Sequence, residues 1–132
     1  MPSFGAGSKA QLATLHPDLQ RLMLEAIKYV DFTITCGFRN QEDQHKAFVA
    51  GNSKLDWPNG EHNKNPSRAV DVAPFVNGRI DWNDAEAFTL LAGIIKGIAF
   101  MMNIKIRIGA DWDGDLDMKE HSFKDRPHIE LI

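Results

Sequence analysis

Apolar positions along the first third of the chain follow a helical period and then an extended one. Six of them recur every three or four residues and predict an amphipathic helix begun near Pro17: Leu19, Leu22, Met23, Ala26, Ile27 and Val30. Residues 32–38 then alternate apolar with small or polar side chains, which predicts a strand. Asn40 suits the N-cap of a short second helix, which would end at Gly51.

The rest of the chain combines two long polar loops with short strands and one long helix. The loops are residues 52–67 and 109–126, and the strands are residues 69–73, 104–108 and 128–132. Asn83 and Glu86 fit a capping box for a helix with these core positions: Phe88, Leu91, Ile95, Ile98 and Met102. This order predicts an α+β fold, with a small, mostly antiparallel sheet packed against helices.

Composition excludes several classes of protein. The 132 residues are 43% hydrophobic and 25% charged, enough for one core, so we expect a single domain over residues 1–132 without a separate binding module. A net charge of -3 argues against nucleic-acid binding by counterion release. Cys36 is the single cysteine, which excludes an internal disulfide and a thiolate zinc site. Any bound metal would therefore have histidine and carboxylate ligands.

The chain contains no pattern typical of secretion or of a membrane span. Residues 1–7 have neither a basic segment nor an apolar one. The most apolar stretch, residues 85–102, is interrupted by Glu86, Thr89, Lys96 and two glycines, so it falls short of a span. We therefore expect a protein that is made soluble in the cytoplasm and has no stable membrane association.

Three side chains at the junctions between loops and strands form a candidate metal site. His62 lies in the first loop, Asp71 on the strand after it and His128 at the start of the last strand. Two imidazoles and one carboxylate match a catalytic zinc site with one open position. Asp125, three residues before His128, could act as a general base beside a metal-bound water. The alternative is a solvated loop histidine, an aspartate paired with an arginine and a strand-edge histidine.

Four segments resemble the zinc peptidases of the D-alanyl-D-alanine carboxypeptidase group, and most closely its phage-type L-alanyl-D-glutamate peptidases, which act as endolysins. The segments are GFRNQEDQ at residues 37–44, EHNKNPSRAVDVAP at 61–74, GADW at 109–112 and DRPHIEL at 125–131. They occur in the family's order with similar gaps. The chain departs from the family at Gly60, where a serine is frequent, and at Ser67, where a glycine is frequent.

The resemblance implies a function and a set of site residues. His62, Asp71 and His128 would bind Zn²⁺, and Asp125 would be the catalytic base. Arg39 would neutralise a substrate carboxylate or the oxyanion, and Gln44 would face the substrate. The expected substrate is the stem peptide of peptidoglycan, cut between L-Ala and D-Glu. We expect a monomeric lytic enzyme that waits in the host cytoplasm until the membrane is breached and then reaches the periplasm and cell wall.

Three other functions remain as alternatives. A D-Ala-D-Ala carboxypeptidase would use the same metal centre. A non-catalytic, zinc-stabilised binding module would keep the ligands but would not need Asp125. A His-Asn-His nuclease is disfavoured by the acidic balance of the chain.

Further candidates lie in the two loops. Trp57 is predicted to form a wall of the substrate cleft. His121 is a candidate donor in the transition state, whereas His45 is predicted to lie on the surface or the cleft rim. Four aspartates are spaced by two as at the start of a calcium-binding EF-hand loop: Asp111, Asp113, Asp115 and Asp117. Leu116 and Ser122 replace the required glycine and glutamate, so the alternatives are a non-standard Ca²⁺ site and a solvated acidic loop.

Overall fold

A four-stranded antiparallel sheet with helices packed against it confirms the predicted α+β fold. The computed structural model describes residues 2–117 and 125–132. The strands are β1 (Phe32–Cys36), β2 (Ala69–Pro74), β3 (Ile106–Ile108) and β4 (His128–Leu131). The α-helices in this part of the chain are α1 (Ala6–Leu12), α2 (Pro17–Ala26), α3 (Gln41–Val49) and α4 (Ala85–Met101), and Glu61–Asn63 form one turn of 3-10 helix.

Strand pairing separates the sheet into an apolar face and a polar face. The strand order is β1-β2-β4-β3, and every neighbouring pair is antiparallel. Asp71 of β2 lies opposite His128 of β4, and Glu130 of β4 lies opposite Arg107 of β3. Because alternate residues of a strand share a face, these four side chains project from the same side of the sheet. The intervening residues Val70, Val72, Ile129 and Leu131 are buried in the hydrophobic core.

The core lies between this apolar face and helices α2 and α4. The repeating apolar positions of α2 are all but inaccessible to solvent: Leu19, Leu22, Met23 and Ala26. Helix α4 buries Phe88, Leu91, Ala92, Ile95 and Ala99, and its opposite side exposes Leu90, Phe100 and Met101. Burial of this apolar stripe is the main force that holds α4 on the sheet. Among the described residues, no helix combines the length and the apolar character needed to cross a membrane.

Several helix ends differ from the predictions. Asn40 caps α3 as predicted, by accepting a hydrogen bond from the backbone N–H of Asp43. The predicted cap Asn83 is wrong, because the side chain of Asp84 accepts from the N–H of Ala87 at 3.1 Å. The backbone N–H of Asn83 instead donates to Asp81, within a turn that shifts the start of the helix by one residue.

Helix α1 was not predicted, because its sequence AGSKAQL has no apolar period. Polar contacts with the first strand and the turn after it hold it in place instead. The Ser8 hydroxyl accepts a hydrogen bond from the N–H of Ile34 at 3.0 Å, and the Gln11 amide oxygen accepts from the N–H of Gly37 at 2.9 Å. Such side chain to backbone contacts leave no periodic pattern in a sequence.

Truncation of the α4 stripe is expected to destabilise the protein strongly. Ile95 is fully buried, so Ile95→Ala removes apolar contacts, leaves a cavity and should cost about 2–5 kcal/mol of unfolding free energy. Leu90→Ala, at an exposed position of the same helix, should change stability by less than about 0.5 kcal/mol. Urea denaturation of both variants measures the difference. Equal losses would contradict the assignment of the buried face.

Candidate metal centre and substrate cleft

The structure brings His62, Asp71 and His128 together in one buried cluster. Asp71 and His128 face each other across β2 and β4, and the 3-10 helix places His62 above them. The Asp71 Oδ1 atom lies 3.1 Å from His62 Nε2 and 3.4 Å from His128 Nδ1. The three atoms fall within 4.8 Å of one another, so a single cation can contact all of them.

Hydrogen bonds on the far side of each ring orient the two imidazoles. His62 Nδ1 lies 2.7 Å from the carbonyl oxygen of Gly37, to which it donates, so Nε2 is the ring nitrogen that faces Asp71. His128 Nε2 lies 2.7 Å from a carboxylate oxygen of Glu130, which leaves Nδ1 for the cluster. Outer contacts of this kind fix the tautomer of metal-binding histidines and increase their basicity.

The geometry of the cluster fits zinc. Bonds of about 2.05 Å in a tetrahedron place neighbouring ligand atoms about 3.3 Å apart. The two distances to Asp71 Oδ1, 3.1 and 3.4 Å, bracket that value. Two imidazoles and one carboxylate also form a common ligand set of catalytic zinc, with a fourth position for water.

The electrostatics of the cluster favour positive charge. Burial alone would lower the pKa of each histidine, but Asp71 outweighs it and raises the pKa of His62 to about 10 and that of His128 to about 9. Burial alone would raise the pKa of Asp71, yet the charges and hydrogen bonds of the two imidazoles hold it well below its usual range. The buried carboxylate therefore stabilises positive charge beside it, whether that charge is carried by ring protons or by a metal ion held between the rings.

Asp125 lies beside the cluster and outside the ligand set. Its Oδ2 atom is 4.0 Å from His128 Nδ1. Burial, and then the neighbouring negative charge of Asp71, raise the pKa of Asp125 to about 6, although the two histidines and Arg39 oppose the shift. A carboxylate with this pKa accepts a proton near neutral pH and releases it again readily.

Gly109 holds the backbone on which Asp125 sits. The N–H of Asp125 donates to the carbonyl of Gly109 at 3.0 Å, and the N–H of Gly109 donates to the carbonyl of His128 at 2.8 Å. A Cβ atom at Gly109 would collide with the carbonyl of Asp125. Only glycine therefore allows β3 and the base of the loop to approach this closely.

Arg39 and Gln44 lie together at the wall of the cluster. One terminal nitrogen of Arg39 donates to Asp71 Oδ2 at 3.4 Å, and the other donates to the Gln44 amide oxygen at 3.2 Å. Gln44 is only 1% exposed, and its NH₂ group donates to Ser53 and to the carbonyl of Leu55. Both the oxygen and the nitrogen of this amide thus bond to groups of the protein. Gln44 holds Arg39 and also lines the cavity that opens over the cluster, so its contact with substrate stays a prediction.

A cavity of about 340 Å³ opens over the cluster. His62, Asp125 and His128 lie at its floor, and its other walls include Arg39, Lys54, Arg107, Trp112 and Glu130. The indole at this wall is that of Trp112, whereas Trp57 packs edge-to-face against Phe38 with ring centroids 6.4 Å apart. Trp57 as a wall of the cleft therefore stays a prediction.

Sequence reasoning missed Arg107. It lies on the exposed side of β3, where Ile106 and Ile108 point into the core. The alternation with these isoleucines marks Arg107 as a surface position but does not reveal which strand pairs with β3. Its place opposite Glu130 follows only from the register.

Other candidates lie away from the cluster or outside the described residues. His45 is exposed on α3 and pairs with Asp56 at 3.0 Å, in agreement with a surface position. The half-buried Cys36 thiol lies 3.9 Å from His62 Nδ1, on the side away from Asp71. His121 and Ser122 belong to residues 118–124, outside the described part of the chain.

Three of the four aspartates in the acidic loop converge. Carboxylate oxygens of Asp111, Asp113 and Asp115 fall within 4.8 Å of one another. Backbone N–H groups donate to all three side chains, from Leu116 to Asp111, from Asp115 to Asp113 and from Asp117 to Asp115. These local bonds explain the turn without an ion, so the predicted Ca²⁺ site stays a prediction.

Comparison with known proteins agrees with this geometry. The family model described as phage L-alanyl-D-glutamate peptidase matches residues 2–132. The L-alanyl-D-glutamate peptidase of Escherichia phage T5 is 35% identical over 134 residues, covering 98% of this chain and 97% of the relative. The crystal structure of the Serratia marcescens L-Ala D-Glu endopeptidase ChiX superposes with a TM-score of 0.78 at 27% identity, over 99% of this chain and 91% of that one. The chain therefore belongs to the phage L-alanyl-D-glutamate peptidase family.

Proposed function

We propose that this protein is a zinc-dependent endolysin that hydrolyses the L-Ala-D-Glu bond in the stem peptide of bacterial peptidoglycan. The observation that carries the proposal is the buried cluster of His62, Asp71 and His128 with Asp125 beside it in an open cleft. The choice of bond is supported by the phage T5 relative, an L-alanyl-D-glutamate peptidase, and by ChiX, an L-Ala D-Glu endopeptidase. The set of two imidazoles and one carboxylate, which is common in catalytic zinc sites, supports the choice of metal.

Different residues of the cleft have different roles in the hydrolysis of the amide. Zinc, when bound by His62, Asp71 and His128, supplies a Lewis acid that lowers the pKa of a water molecule and polarises the scissile carbonyl. Asp125 takes a proton from the attacking water and delivers it to the leaving amine of D-Glu. Burial beside Asp71 raises its pKa to about 6, so the carboxylate is mostly ionised at neutral pH and able to accept a proton.

Arg39 contributes positive charge at the wall of the same cavity. Its guanidinium is fixed by Gln44 and Asp71, so it needs no rearrangement when negative charge develops on the carbonyl oxygen. Its side chain is 17% exposed, which reduces screening by water. Arg68, which could also have supplied charge to the cleft, pairs instead with Glu61 at 3.6 Å.

The setting of the reaction follows from the same proposal. The protein acts alone as a monomer on the stem peptide and binds neither nucleic acid nor the membrane stably. It stays in the host cytoplasm until the membrane is breached and then reaches the periplasm and cell wall. A D-Ala-D-Ala carboxypeptidase would use the same centre, and the products distinguish the two activities.

Loss of the Asp125 carboxylate should abolish catalysis without loss of metal. Asp125→Asn keeps the size of the side chain but removes its basicity, so hydrolysis should fall by about 10²–10⁴-fold. Bound zinc should stay at one equivalent, since Asp125 is not a ligand. Turbidity of a peptidoglycan suspension and metal analysis give the two readouts. Asp18→Asn, at an exposed acid on α2, is the control; full activity in the Asp125 variant would remove this residue from the role of base.

Metal removal and product analysis test the metal and the bond together. Chelated protein should be inactive, and one equivalent of Zn²⁺ should restore hydrolysis of purified peptidoglycan. Mass spectrometry should then find products that end in L-Ala and products that begin with D-Glu. Release of free D-Ala would instead indicate a carboxypeptidase. Unchanged activity after chelation would rule out a metal-dependent mechanism.

A calcium titration tests the second predicted ion. If Asp111, Asp113, Asp115 and Asp117 bind Ca²⁺, its addition to chelated, zinc-loaded protein should raise the melting temperature and change activity, because this loop leads to Asp125. Asp113→Asn should weaken the response. Unchanged melting and activity at millimolar Ca²⁺ would leave the loop as a solvated acidic turn.

A further inference from the structure

A second pair of charged side chains lies next to the metal cluster on the polar face of the sheet. Arg107 of β3 is directly opposite Glu130 of β4, and His128 is two residues before Glu130 on the same strand. Two residues span about 7 Å along a strand, so the Arg107 row lies one such step from the row of Asp71 and His128. Arg107, Glu130 and His128 line the same cavity.

Arg107 has more unused donor capacity and more exposure to the cavity than Arg39, which uses two of its five N–H groups on protein partners. Its side chain is 43% exposed, against 17% for Arg39, whose terminal nitrogens both bond to protein groups. Within the described part of the chain, the one ion pair of Arg107 joins its Nε to Glu130 at 4.0 Å, too far for a hydrogen bond. A guanidinium carries five N–H groups in a planar fork, so its terminal nitrogens can bind an incoming anion.

Glu130 does not cancel this charge for a ligand in the cleft. Its carboxylate lies 2.7 Å from His128 Nε2, and that hydrogen bond directs its negative charge towards the metal cluster. Glu130 therefore bonds to His128 rather than to Arg107, and the guanidinium of Arg107 faces the cavity.

The substrate of the proposed function carries a matching anion. A D-glutamate whose amine forms the scissile amide has two carboxyl groups, and continuation of the stem peptide uses one of them. The other is a free carboxylate only a few bonds from the scissile nitrogen, unless it is amidated. This carboxylate belongs to the residue that carries the leaving amine, so it must lie within the length of one residue from the metal cluster. Arg107 lies at such a distance.

Resting on the proposed function, we propose that Arg107 forms a carboxylate subsite that binds the free carboxylate of the D-Glu residue and selects unamidated stem peptides. A carboxylate accepts two parallel hydrogen bonds from the fork and adds opposite charge. A carboxamide of the same shape offers one acceptor oxygen and no charge. Arg107 is thus a residue that determines specificity, separate from Arg39 beside the cluster.

Two substrates that differ only in this group provide the test. We expect the native, zinc-loaded protein to cleave a stem peptide with free D-Glu carboxylate on the order of tenfold to a hundredfold more efficiently than its carboxamide form, measured as kcat/KM. Arg107→Gln should remove most of this preference, mainly by raising KM for the carboxylate substrate. Arg21→Gln, an exposed arginine on α2, should leave both substrates unaffected.

The outcomes separate the subsite from the proposed function. Equal loss on both substrates in Arg107→Gln, or an unchanged preference, would overturn the subsite while cleavage by the native protein upholds the activity. Arg107→Lys keeps the positive charge but loses the planar guanidinium, so its preference for the carboxylate substrate should be intermediate. This variant also provides the test if Arg107→Gln does not fold. A preference in Arg107→Lys equal to that of the native protein would contradict the role of the paired guanidinium hydrogen bonds. Failure of the native protein to cleave either peptide would overturn the proposed function, and the subsite with it.

Discussion

The antiparallel pairing of β2 with β4 is the constraint on which the rest of the site depends. It places Asp71 directly opposite His128, so a backbone register fixes two of the three candidate ligands. A slip of either strand by one residue would turn its ligand into the apolar core and bring a valine or an isoleucine to the cleft. Because the same hydrogen bonds hold the central strands together, the geometry of the site is as stable as the sheet itself.

The third ligand depends on a different kind of restraint. His62 lies in a loop, where no sheet register fixes its position, and the carbonyl of Gly37 orients its ring. The buried amide of Gln44 reinforces this region by bonding to Asn63 and Arg39, the residues next to His62 and on the wall of the cleft. A network of hydrogen-bonded polar groups thus fixes the position of His62, as strand pairing fixes the positions of Asp71 and His128.

The sequence predicted elements with a clear period and side chains whose chemistry is unusual for their position. Asp71 stands out because a carboxylate interrupts an apolar strand, and the α2 and α4 stripes follow the helical repeat. Polar contacts between distant segments leave no such pattern, which explains why α1 was missed. Arg107 and Trp112 were missed as cleft residues for the same reason, because their place in the cavity depends on how strands and loops meet in space.

The close approach at Gly109 makes the position of Asp125 depend little on the length of the chain that precedes it. Hydrogen bonds join the backbone at Gly109 to Asp125 and His128, so the two ends of the intervening segment are fixed by the sheet rather than by the segment itself. Loop-closure entropy grows only slowly with length, at about 0.6 kcal/mol per doubling. A change in the length of the chain between Trp112 and Asp125 should therefore displace the Asp125 carboxylate little, as long as Trp112 keeps its place at the wall of the cavity.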